Sequence, residues 1–223
     1  MEMELAGIRK SYKKKKVLTD ISLSVGSGSC VGILGGNGSG KSTLLSILAG
    51  VQKADGGTFH YQGEELLRNS ARIPAVIGYV PQGNPLIEEL NAWDNLRMWY
   101  DRKTLQRELE QGALAMLGIG DFLKTPVRRM SGGMKKRLSI GCAVVAKPRI
   151  LLLDEPSAAL DLVCKENIYR YLERYKAEGG IVLLATHDMQ ELELCERCYI
   201  IKEGVLEAYQ YDGDLHHLAG KLR

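Results

Sequence analysis

The alternation of apolar and polar positions predicts strands and helices that follow one another along the chain. The first 25 residues predict a hairpin, in which a strand to about Ile8 and a lysine-rich turn precede alternating Ile21, Leu23 and Val25. Short apolar runs predict buried strands at Cys30–Leu34, Ile77–Val80, Ile150–Leu153 and Ile181–Thr186, a strand pair around Thr58–Tyr61, and a last hairpin that turns at Glu203–Gly204. This order of elements predicts an α/β fold with a mainly parallel sheet.

Helical periodicity dominates one long stretch, from about Leu86 to Lys147. Within it, Met134, Leu138, Cys142 and Val145 recur at helical spacing and predict one buried helix face. Other helices are predicted near Lys41, from about Asp161 with Ile168, Leu172 and Tyr175 on one face, and after Thr186. We expect the long helical stretch to be an insertion into the α/β domain.

Composition and charge narrow the class of protein. The 223 residues are 45% apolar and 26% charged, which is typical of a globular domain and excludes collagen-like, coiled-coil and disordered chains. A net charge of +3 is too small to favour nucleic acid as the main partner. The basic cluster of Arg9, Lys10 and Lys13–Lys16 is expected to be a solvated turn. No apolar stretch approaches the ~20 residues of a membrane span, and the first ten residues contain no apolar leader. We therefore expect any membrane role to come through a partner.

The five cysteines, at positions 30, 142, 164, 195 and 198, are odd in number and scattered. This usage predicts free thiols in a reducing cytosol. Cys195 and Cys198 form a Cys-x-x-Cys pair, but no second pair follows, and we expect both to lie on a helix without a shared role.

A glycine-rich turn between the predicted strand Cys30–Leu34 and the next helix carries the clearest chemistry. Its residues match the pattern G-x-x-x-x-G-K-[S/T] and are Gly35, Gly36, Asn37, Gly38, Ser39, Gly40, Lys41 and Ser42. Glycines allow successive backbone N–H groups to surround phosphate oxygens, and a helix N-terminus adds positive potential. We expect Lys41 to bind the β and γ phosphates of a nucleotide and Ser42 to bind Mg²⁺.

Two acids follow the buried strand Ile150–Leu153. Ligands gather at the carboxyl ends of strands in open α/β sheets. Asp154 is therefore predicted to lie in the Mg²⁺ shell, and Glu155 is predicted to orient or deprotonate an attacking water.

A second anion site is predicted where Ser131 caps a helix whose first turn contains Gly132 and Gly133. The two glycines leave the backbone N–H groups of that turn accessible. In isolation a serine cap is structural. Together with the phosphate loop and the paired acids, it favours a contact with phosphate.

Taken in order along almost the whole chain, these motifs make the sequence similar to the ATPase subunits of ABC transporters. The family's signature motif corresponds to Met130–Met134, its Q-loop glutamine to Gln82, its D-loop to Ser157–Asp161 and its switch histidine to His187. The resemblance implies a P-loop NTPase (RecA-like) core with an antiparallel β subdomain and an inserted helical subdomain. It implies a single domain over residues 1–223, with the core at about 1–85 and 148–223 and the helical subdomain at about 86–147.

The resemblance also implies roles for individual residues of this sequence. Tyr12 is expected to stack on adenine, Thr43 and Gln82 are expected to help the phosphate loop bind ATP, and Gln82 is also expected to bind Mg²⁺. His187 is expected to act with Glu155 in catalysis, by contacting the γ-phosphate and positioning water. In the signature motif, Ser131, Gly132 and Gly133 are expected to act in trans on the nucleotide of the partner chain. In the D-loop, the expected site residue is Asp161.

Some positions depart from the usual family pattern. Met130 stands in place of leucine and Met134 in place of glutamine, and the second change resembles exporter-like subfamilies such as drug and antibiotic efflux ATPases. The D-loop has alanine where glycine is frequent, which is not expected to abolish function. Glu155 and His187 both match, which predicts a hydrolysing site.

The predicted function is ATP hydrolysis that drives transport through a separate integral membrane permease. Two chains, as a homo- or heterodimer, are expected to close around two ATP molecules with Mg²⁺ at the cytoplasmic face of the cell membrane. The permease is expected to dock near the Gln82 loop and a helix that carries Trp93, Trp99 and Tyr100, although these aromatics are equally compatible with internal packing. No nucleic-acid partner is expected.

Two other classes remain as alternatives. Soluble ABC-type ATPases that act on ribosomes or DNA usually have two cassettes or a long coiled-coil insertion, and a basic groove. A P-loop kinase or GTPase would leave the Ser131 motif unexplained, and no guanine-selecting Asn/Thr-Lys-x-Asp occurs. His216 and His217 match no motif and are expected at the surface.

Overall fold

The strands form one mixed sheet with helices packed on both faces. The computed structural model describes residues 2–158, 160–210 and 220–221, and within them the sheet has ten strands in the order β5-β4-β1-β2-β10-β9-β3-β8-β7-β6. The strands are β1 (Met3–Tyr12), β2 (Lys15–Val25), β3 (Cys30–Leu34), β4 (Gly56–Tyr61), β5 (Glu64–Glu65), β6 (Ile77–Val80), β7 (Ile150–Asp154), β8 (Ile181–Ala185), β9 (Arg197–Lys202) and β10 (Val205–Tyr209).

The helices occupy the connections between these strands. They are α1 (Lys41–Leu48), α2 (Ile73–Val76), α3 (Ala92–Arg97), α4 (Arg102–Gln111), α5 (Ala113–Met116), α6 (Gly132–Ala143), α7 (Leu162–Ala177) and α8 (Met189–Glu193). Short 3-10 turns lie at Ser70–Arg72, Ile119–Phe122 and Val127–Arg129. The helices α3 to α6 all lie between β6 and β7, which confirms the predicted helical insertion.

The sheet has a parallel part and an antiparallel part. Strands β9, β3, β8, β7 and β6 pair in parallel, whereas β1 pairs antiparallel with both β2 and β4, and β4 with β5. This arrangement confirms the expected α/β core with an antiparallel β part. Parallel strands align their carboxyl ends, so the residues that follow β3, β7 and β8 lie at one edge of the sheet.

The parallel strands are buried on both faces. In β7, Ile150 and Leu152 pack in the core that contains Leu44 of α1, whereas Leu151 and Leu153 pack in the second core with α6 and α7. All five residues of β7 are buried, as are those of β3 and β8. Continuous apolar runs are typical of such doubly covered strands, which explains why the sequence predicted them well.

The first strand is longer than predicted, because a bulge interrupts its pattern. β1 continues to Tyr12 rather than ending near Ile8. Gly7 has a φ of 61°, and the pairing with β2 shifts register between Leu5 and Ile8. The bulge places the buried residues Leu5 and Ile8 three positions apart instead of two. The alternation of buried and exposed residues is therefore interrupted before the strand ends.

The helix face predicted from Met134, Leu138, Cys142 and Val145 is confirmed except at its end. Leu138 is buried, and Met134, Cys142 and Val145 are partly buried against the same core, but α6 ends at Ala143, before Val145. The most buried side chains of α6 include Lys136, because this helix packs both against the sheet and against the other inserted helices.

Two further predictions of helical position were wrong. Trp93 lies on α3, but Trp99 and Tyr100 follow the end of that helix. Tyr100 is internal packing, since it is buried and its hydroxyl donates to the carbonyl of Gly141 at 2.9 Å. Cys195 follows α8 and Cys198 lies on β9, so the two do not share a helix. Cys195 Sγ lies 3.5 Å from Cys30 Sγ. All five cysteines are free thiols.

Among the described residues, no helix is long and apolar enough to span a bilayer. The predictions for Ala159, in the middle of the D-loop, and for His216 and His217 concern residues outside the described part of the chain.

Candidate active site

The phosphate loop joins β3 to α1, as its sequence predicts. Gly40 has a φ of 113° and is the residue before the first turn of α1. A Cβ at Gly40 would lie 2.8 Å from Leu18 Cδ2, and a Cβ at Gly35 would lie 2.4 Å from Ser39 Oγ. Glycine is therefore favoured at both positions, because Gly35 (φ 155°) and Gly40 (φ 113°) have backbone conformations that other residues rarely adopt.

Lys41 is held inside this loop by the loop's own carbonyl groups. Its side chain is buried, and Nζ donates to the carbonyls of Gly35 at 2.6 Å and Gly36 at 3.4 Å. Burial lowers the pKa of Lys41, and the nearby carboxylates of Glu155 and Asp154 oppose that shift. The ammonium thus occupies a partly desolvated position from which phosphate oxygens are better acceptors than carbonyls.

The loop forms one wall of a cavity of about 480 Å³. Its lining residues are Val17, Asn37, Gly38, Ser39, Gly40, Lys41, Ser42, Thr43, Gln82 and Glu155. The Ser39 hydroxyl is buried and has no hydrogen-bond partner among the described residues. An unpaired buried hydroxyl is unusual in native proteins and is typical of a site that receives a ligand.

Asp154 ends β7 beside Ser42. Its side chain is buried, and burial raises its pKa, while a hydrogen bond with the Ser42 side chain opposes that shift. A carboxylate and a hydroxyl are the hard oxygen donors that Mg²⁺ prefers, and the amide oxygen of Gln82 belongs to the same class. The residues predicted to hold Mg²⁺ are therefore of the right chemistry.

Glu155 is brought to the cavity by an unusual backbone conformation. Its φ is 49°, in the left-handed region, and its N–H donates to the carbonyl of Ala185 at 2.8 Å. Such conformations cost about 1–3 kcal/mol in a non-glycine residue and are concentrated at functional sites. Its carboxylate accepts from Gln82 Nε2 at 3.0 Å and lies 3.8 Å from His187 Nε2. The three predicted side chains thus meet at one point.

His187 approaches Glu155 from the loop after β8. Burial lowers the pKa of His187, the Lys41 ammonium lowers it further, and Glu155 opposes both. The loop is fixed from behind, since the Asp188 N–H donates to Thr186 Oγ1 at 2.9 Å and the Asp188 carboxylate pairs with Lys165. The imidazole is therefore neutral at pH 7 and held on a rigid support.

The signature residues lie elsewhere in this chain. Ser131 caps α6, and its hydroxyl accepts from the N–H of Met134 at 3.2 Å, as predicted. A Cβ at Gly133 would lie 2.4 Å from Cys164 Sγ, so α6 can approach α7 only with glycine at that position. The lining of the cavity at the phosphate loop does not include the signature residues Ser131, Gly132 and Gly133, or Asp161. Asp161 instead caps α7 by accepting from the N–H of Cys164 at 2.8 Å.

Tyr12 lies at the end of β1, outside the lining of the same cavity. The residue is 44% exposed, its hydroxyl bonds to Gln52, and the ammonium of Lys10 lies over the ring at 5.6 Å from the centroid. The ring is thus held at its hydroxyl end and partly accessible to solvent.

Two buried charged residues near the site were missed from the sequence. Lys136 of α6 is 5% exposed, and its Nζ donates to the carbonyls of Pro81 at 3.1 Å and Gln82 at 3.2 Å. Glu191 of α8 is 1% exposed and accepts from the N–H of Ser157 at 2.9 Å. Each lies in a polar stretch that is typical of solvated helix surface, so no local signal marks it as buried.

Comparison with known proteins agrees with this geometry. A protein-family model described as ABC transporter matches residues 18–158. The Nod factor export ATP-binding protein I of Sinorhizobium fredii is 37% identical, over 91% of this chain and 60% of that protein's length. The lantibiotic transport ATP-binding protein SrtF of Streptococcus pyogenes is 30% identical, over 95% of this chain and 92% of its own.

A solved structure is similar over nearly the same range. It is a dimeric ATP-binding cassette in a post-hydrolysis state with ADP and Pi, with a TM-score of 0.82 and 28% identity over 92% of this chain and 96% of its own. The chain thus spans nearly the full length of some similar proteins and 60% of the Nod factor relative.

Proposed function

Since this chain belongs to the ATP-binding subunits of ABC transporters, we propose that it hydrolyses ATP as half of a dimer and drives a separate membrane permease. The meeting of Gln82, Glu155 and His187 at the edge of the phosphate-loop cavity carries this proposal. A carboxylate in contact with both a glutamine and a histidine at this cavity is suited to bind and orient a water beside the nucleotide.

Each part of the site has a role in hydrolysis. The backbone N–H groups of the phosphate loop bind phosphate, Lys41 moves its ammonium from the loop carbonyls to the β and γ phosphates, and Thr43 completes the loop. Glu155 orients the attacking water and accepts its proton, while the neutral His187 contacts the γ-phosphate and holds the water's position. Tyr12, which is partly exposed at the end of β1, stacks on adenine.

Mg²⁺ would be held by Ser42, Asp154 and Gln82. When bound, it supplies charge neutralisation at the phosphates. Burial of Asp154 keeps its carboxylate in a fixed position for this purpose, and its hydrogen bond with Ser42 keeps the two oxygen donors together.

A second chain completes each site. The capped N-terminus of α6 at Ser131, with Gly132 and Gly133, does not line the chain's own cavity, so its N–H groups are available to the nucleotide of a partner. Asp161 of the D-loop lies at the start of α7, where Leu162 and Val163 are both more than 70% exposed. The dimeric state of a related cassette supports this arrangement. The second chain is a further copy or a related subunit.

The permease docks on the inserted helices at the cytoplasmic face of the membrane. Trp99 and Met98 are 61% and 56% exposed just after α3, and Ile87 is exposed in the loop between Gln82 and α3. These exposed apolar side chains belong to the segment that follows Gln82, whose amide contacts Glu155, and are the proposed docking residues. We assign residues of about 86–147 to a helical subdomain that carries them, and about 1–85 and 148–223 to the core. Met134 and the export function of the Nod factor relative favour export.

Mixed dimers test the shared site. Lys41→Ala removes the phosphate cation from one chain, and Ser131→Arg blocks the helix end of the other. A mixed dimer then has one site with both defects and one site with neither. Random pairing makes half of the dimers mixed, so ATPase activity should recover to about a quarter of wild type if the sites act independently.

A second mixture provides the matched control. Lys41→Ala and Glu155→Gln both damage the phosphate-loop side, so their mixed dimer contains no intact site and should stay inactive. Absence of recovery in the first mixture, in a preparation shown to contain mixed dimers, would refute the shared site. An inactive wild-type chain would refute hydrolysis itself.

A further inference from the structure

Lys136 is a buried lysine whose direct hydrogen bonds are to backbone carbonyls, while the carboxylates of Asp154, Glu191 and Glu155 act on its charge from further away. It lies on α6, its side chain is 5% exposed, and no ion pair within 4.0 Å is formed by it among the described residues. Its ammonium donates instead to two successive backbone carbonyls, those of Pro81 and Gln82, at 3.1 and 3.2 Å. Burying an ammonium is costly, and its two hydrogen bonds fix the position of the backbone that accepts them.

The backbone that Lys136 holds belongs to a residue of the active site. The side chain of Gln82 donates to Glu155 Oε2 at 3.0 Å, so the same residue is bonded at its carbonyl to α6 and at its amide to the carboxylate. Ser139, one turn further along α6, lies 3.4 Å from Asn84 Oδ1 and supports the same loop. Because the carbonyl of Gln82 is fixed, its amide has a restricted range in which to meet Glu155.

Lys136 lies on the helix that Ser131 caps, one turn further from the helix N-terminus. Ser131 caps the helix, and Lys136 lies five residues later, at about 7 Å along the axis for a rise of 1.5 Å per residue. On the proposed function, the first turn of α6 serves the nucleotide of the partner chain. The second turn, through Lys136, contacts the loop of the chain's own site.

We propose that Lys136 is a positioning residue that holds the Gln82 loop of its own chain, although the helix that carries it serves the other site of the dimer. This inference rests on the shared-site function proposed above. It predicts that loss of the Lys136 ammonium impairs the chain that contributes the phosphate loop and leaves unimpaired the chain that contributes Ser131.

The complementing pair of inactive variants allows this assignment to be tested. In the mixture of Lys41→Ala and Ser131→Arg chains, the one intact site takes its phosphate loop, Gln82 and Glu155 from the Ser131→Arg chain and its signature helix from the other. Lys136→Met, which keeps the unbranched stem and removes the donors, is added to either chain in turn. The measurement is turnover at saturating ATP, together with ATP affinity and the melting temperature of each chain.

We expect Lys136→Met on the Ser131→Arg chain to lower turnover about tenfold, with ATP affinity changed by less than about twofold, since a charge-assisted hydrogen bond contributes on the order of one factor of ten or more. The same change on the Lys41→Ala chain should lower turnover by less than about twofold. Lys136→Arg, which keeps donors and charge, should restore most of the turnover. The matched control is Lys135→Met, because Lys135 is the neighbouring lysine and pairs at the surface with Glu88, six residues beyond Gln82, rather than with the carbonyls of Pro81 and Gln82.

A purely structural role for Lys136 gives a different result. Weakening of α6 would lower turnover on the chain that donates Ser131, or on both chains alike, and either outcome overturns the inference. Unchanged turnover in both placements also overturns it. If Lys136→Met does not fold, Lys136→Gln is placed in the same two chains, and the same comparison decides. A mixture that shows no recovery before Lys136 is altered refutes the shared site, so the two failures are distinguishable.

Discussion

Replacing Lys41 by methionine separates the cost of burying an ammonium from its contribution to nucleotide binding. Lys41 is buried, and its Nζ bonds to the carbonyls of Gly35 and Gly36. Methionine has a similar unbranched stem and no charge, so the packing of the loop is largely kept. Stability and affinity should then respond differently to one substitution.

The effect on stability is small because two contributions oppose each other. Burial lowers the pKa of Lys41, so the folded state binds this proton less readily than the unfolded state. The charge therefore costs stability at every pH below the folded pKa, and the cost is relieved as the pH rises towards about 10.4. Methionine removes that cost at pH 7 but leaves the carbonyl of Gly35 unpaired, which costs about 1–3 kcal/mol. We expect a net change of about 1 kcal/mol, or about 2–4 °C in Tm.

The substitution should weaken nucleotide binding, and this effect is larger than the effect on stability. A hydrogen bond between an ammonium and a phosphate contributes about 1.5–3 kcal/mol, so its loss raises the Kd for ATP by about ten- to a hundredfold. ATP at about 1,000 times the wild-type Kd stabilises the folded chain by about 4.1 kcal/mol. A hundredfold weaker Kd removes about 2.7 kcal/mol of that stabilisation, or about 5–11 °C of the ATP-induced rise in Tm.

Thermal unfolding with and without MgATP measures both effects in one series. Lys103→Met is the matched control, because Lys103 is exposed on α4 and its loss removes the same charge far from the phosphate loop. The control should keep the full ATP-induced rise in Tm. A Lys41→Met chain that also keeps the full rise would refute the assignment of Lys41 to the phosphates. If the Lys41→Met chain is already unfolded without ATP, the prediction that the substitution changes stability only slightly is wrong.

Three other substitutions or conditions test the remaining roles. Glu155→Gln should keep ATP binding, nearly stop turnover and accumulate an ATP-bound dimer, as measured by ATPase rate and gel filtration with ATP; near-normal turnover would assign the base elsewhere. Tyr12→Leu should weaken ATP binding by about five- to thirtyfold, from a stacking contribution of about 1–2 kcal/mol, whereas Tyr12→Phe should bind normally; equal affinity of all three chains would exclude stacking. Because burial and Lys41 lower the pKa of His187, its imidazole should be protonated with a midpoint below about 6.5. Any loss of turnover due to its protonation should therefore have its midpoint below that pH, and a midpoint above it would contradict this environment.

The sequence predicts those parts of the fold and site that depend on local pattern. The phosphate loop, β3 and α1 are found where the motif and the apolar run place them, because a glycine-rich turn between a buried strand and a helix has few alternative conformations. β7 and β8 are equally clear, since strands covered on both faces are continuously apolar. Ser131 is recognised as a cap because capping is local.

Other features depend on contacts between distant parts of the chain, which periodicity does not contain. The bulge at Gly7 hides the true end of β1 at Tyr12. Lys136 follows a charged neighbour and resembles solvated surface, yet the loop at residues 81–84 covers it. The left-handed conformation of Glu155 has no signature in sequence, because it depends on how β7 and β8 place the chain beyond their ends. These are the features that convert a list of motifs into a site.

On the proposed function, the geometry of Glu155 also gives a reason why hydrolysis would need a second chain. In one chain the carboxylate is already held by Gln82 and lies near His187, and Lys41 is already in the loop. The group proposed to activate water is therefore in place without a partner, and the exposed side of the cavity is left, on this proposal, to the second chain. Positive potential directed at the γ-phosphate from that side has no source among the residues that line the cavity. On the proposed shared site, the N-terminus of the partner's α6 supplies it, so chemistry is delayed until two chains have closed around the nucleotide.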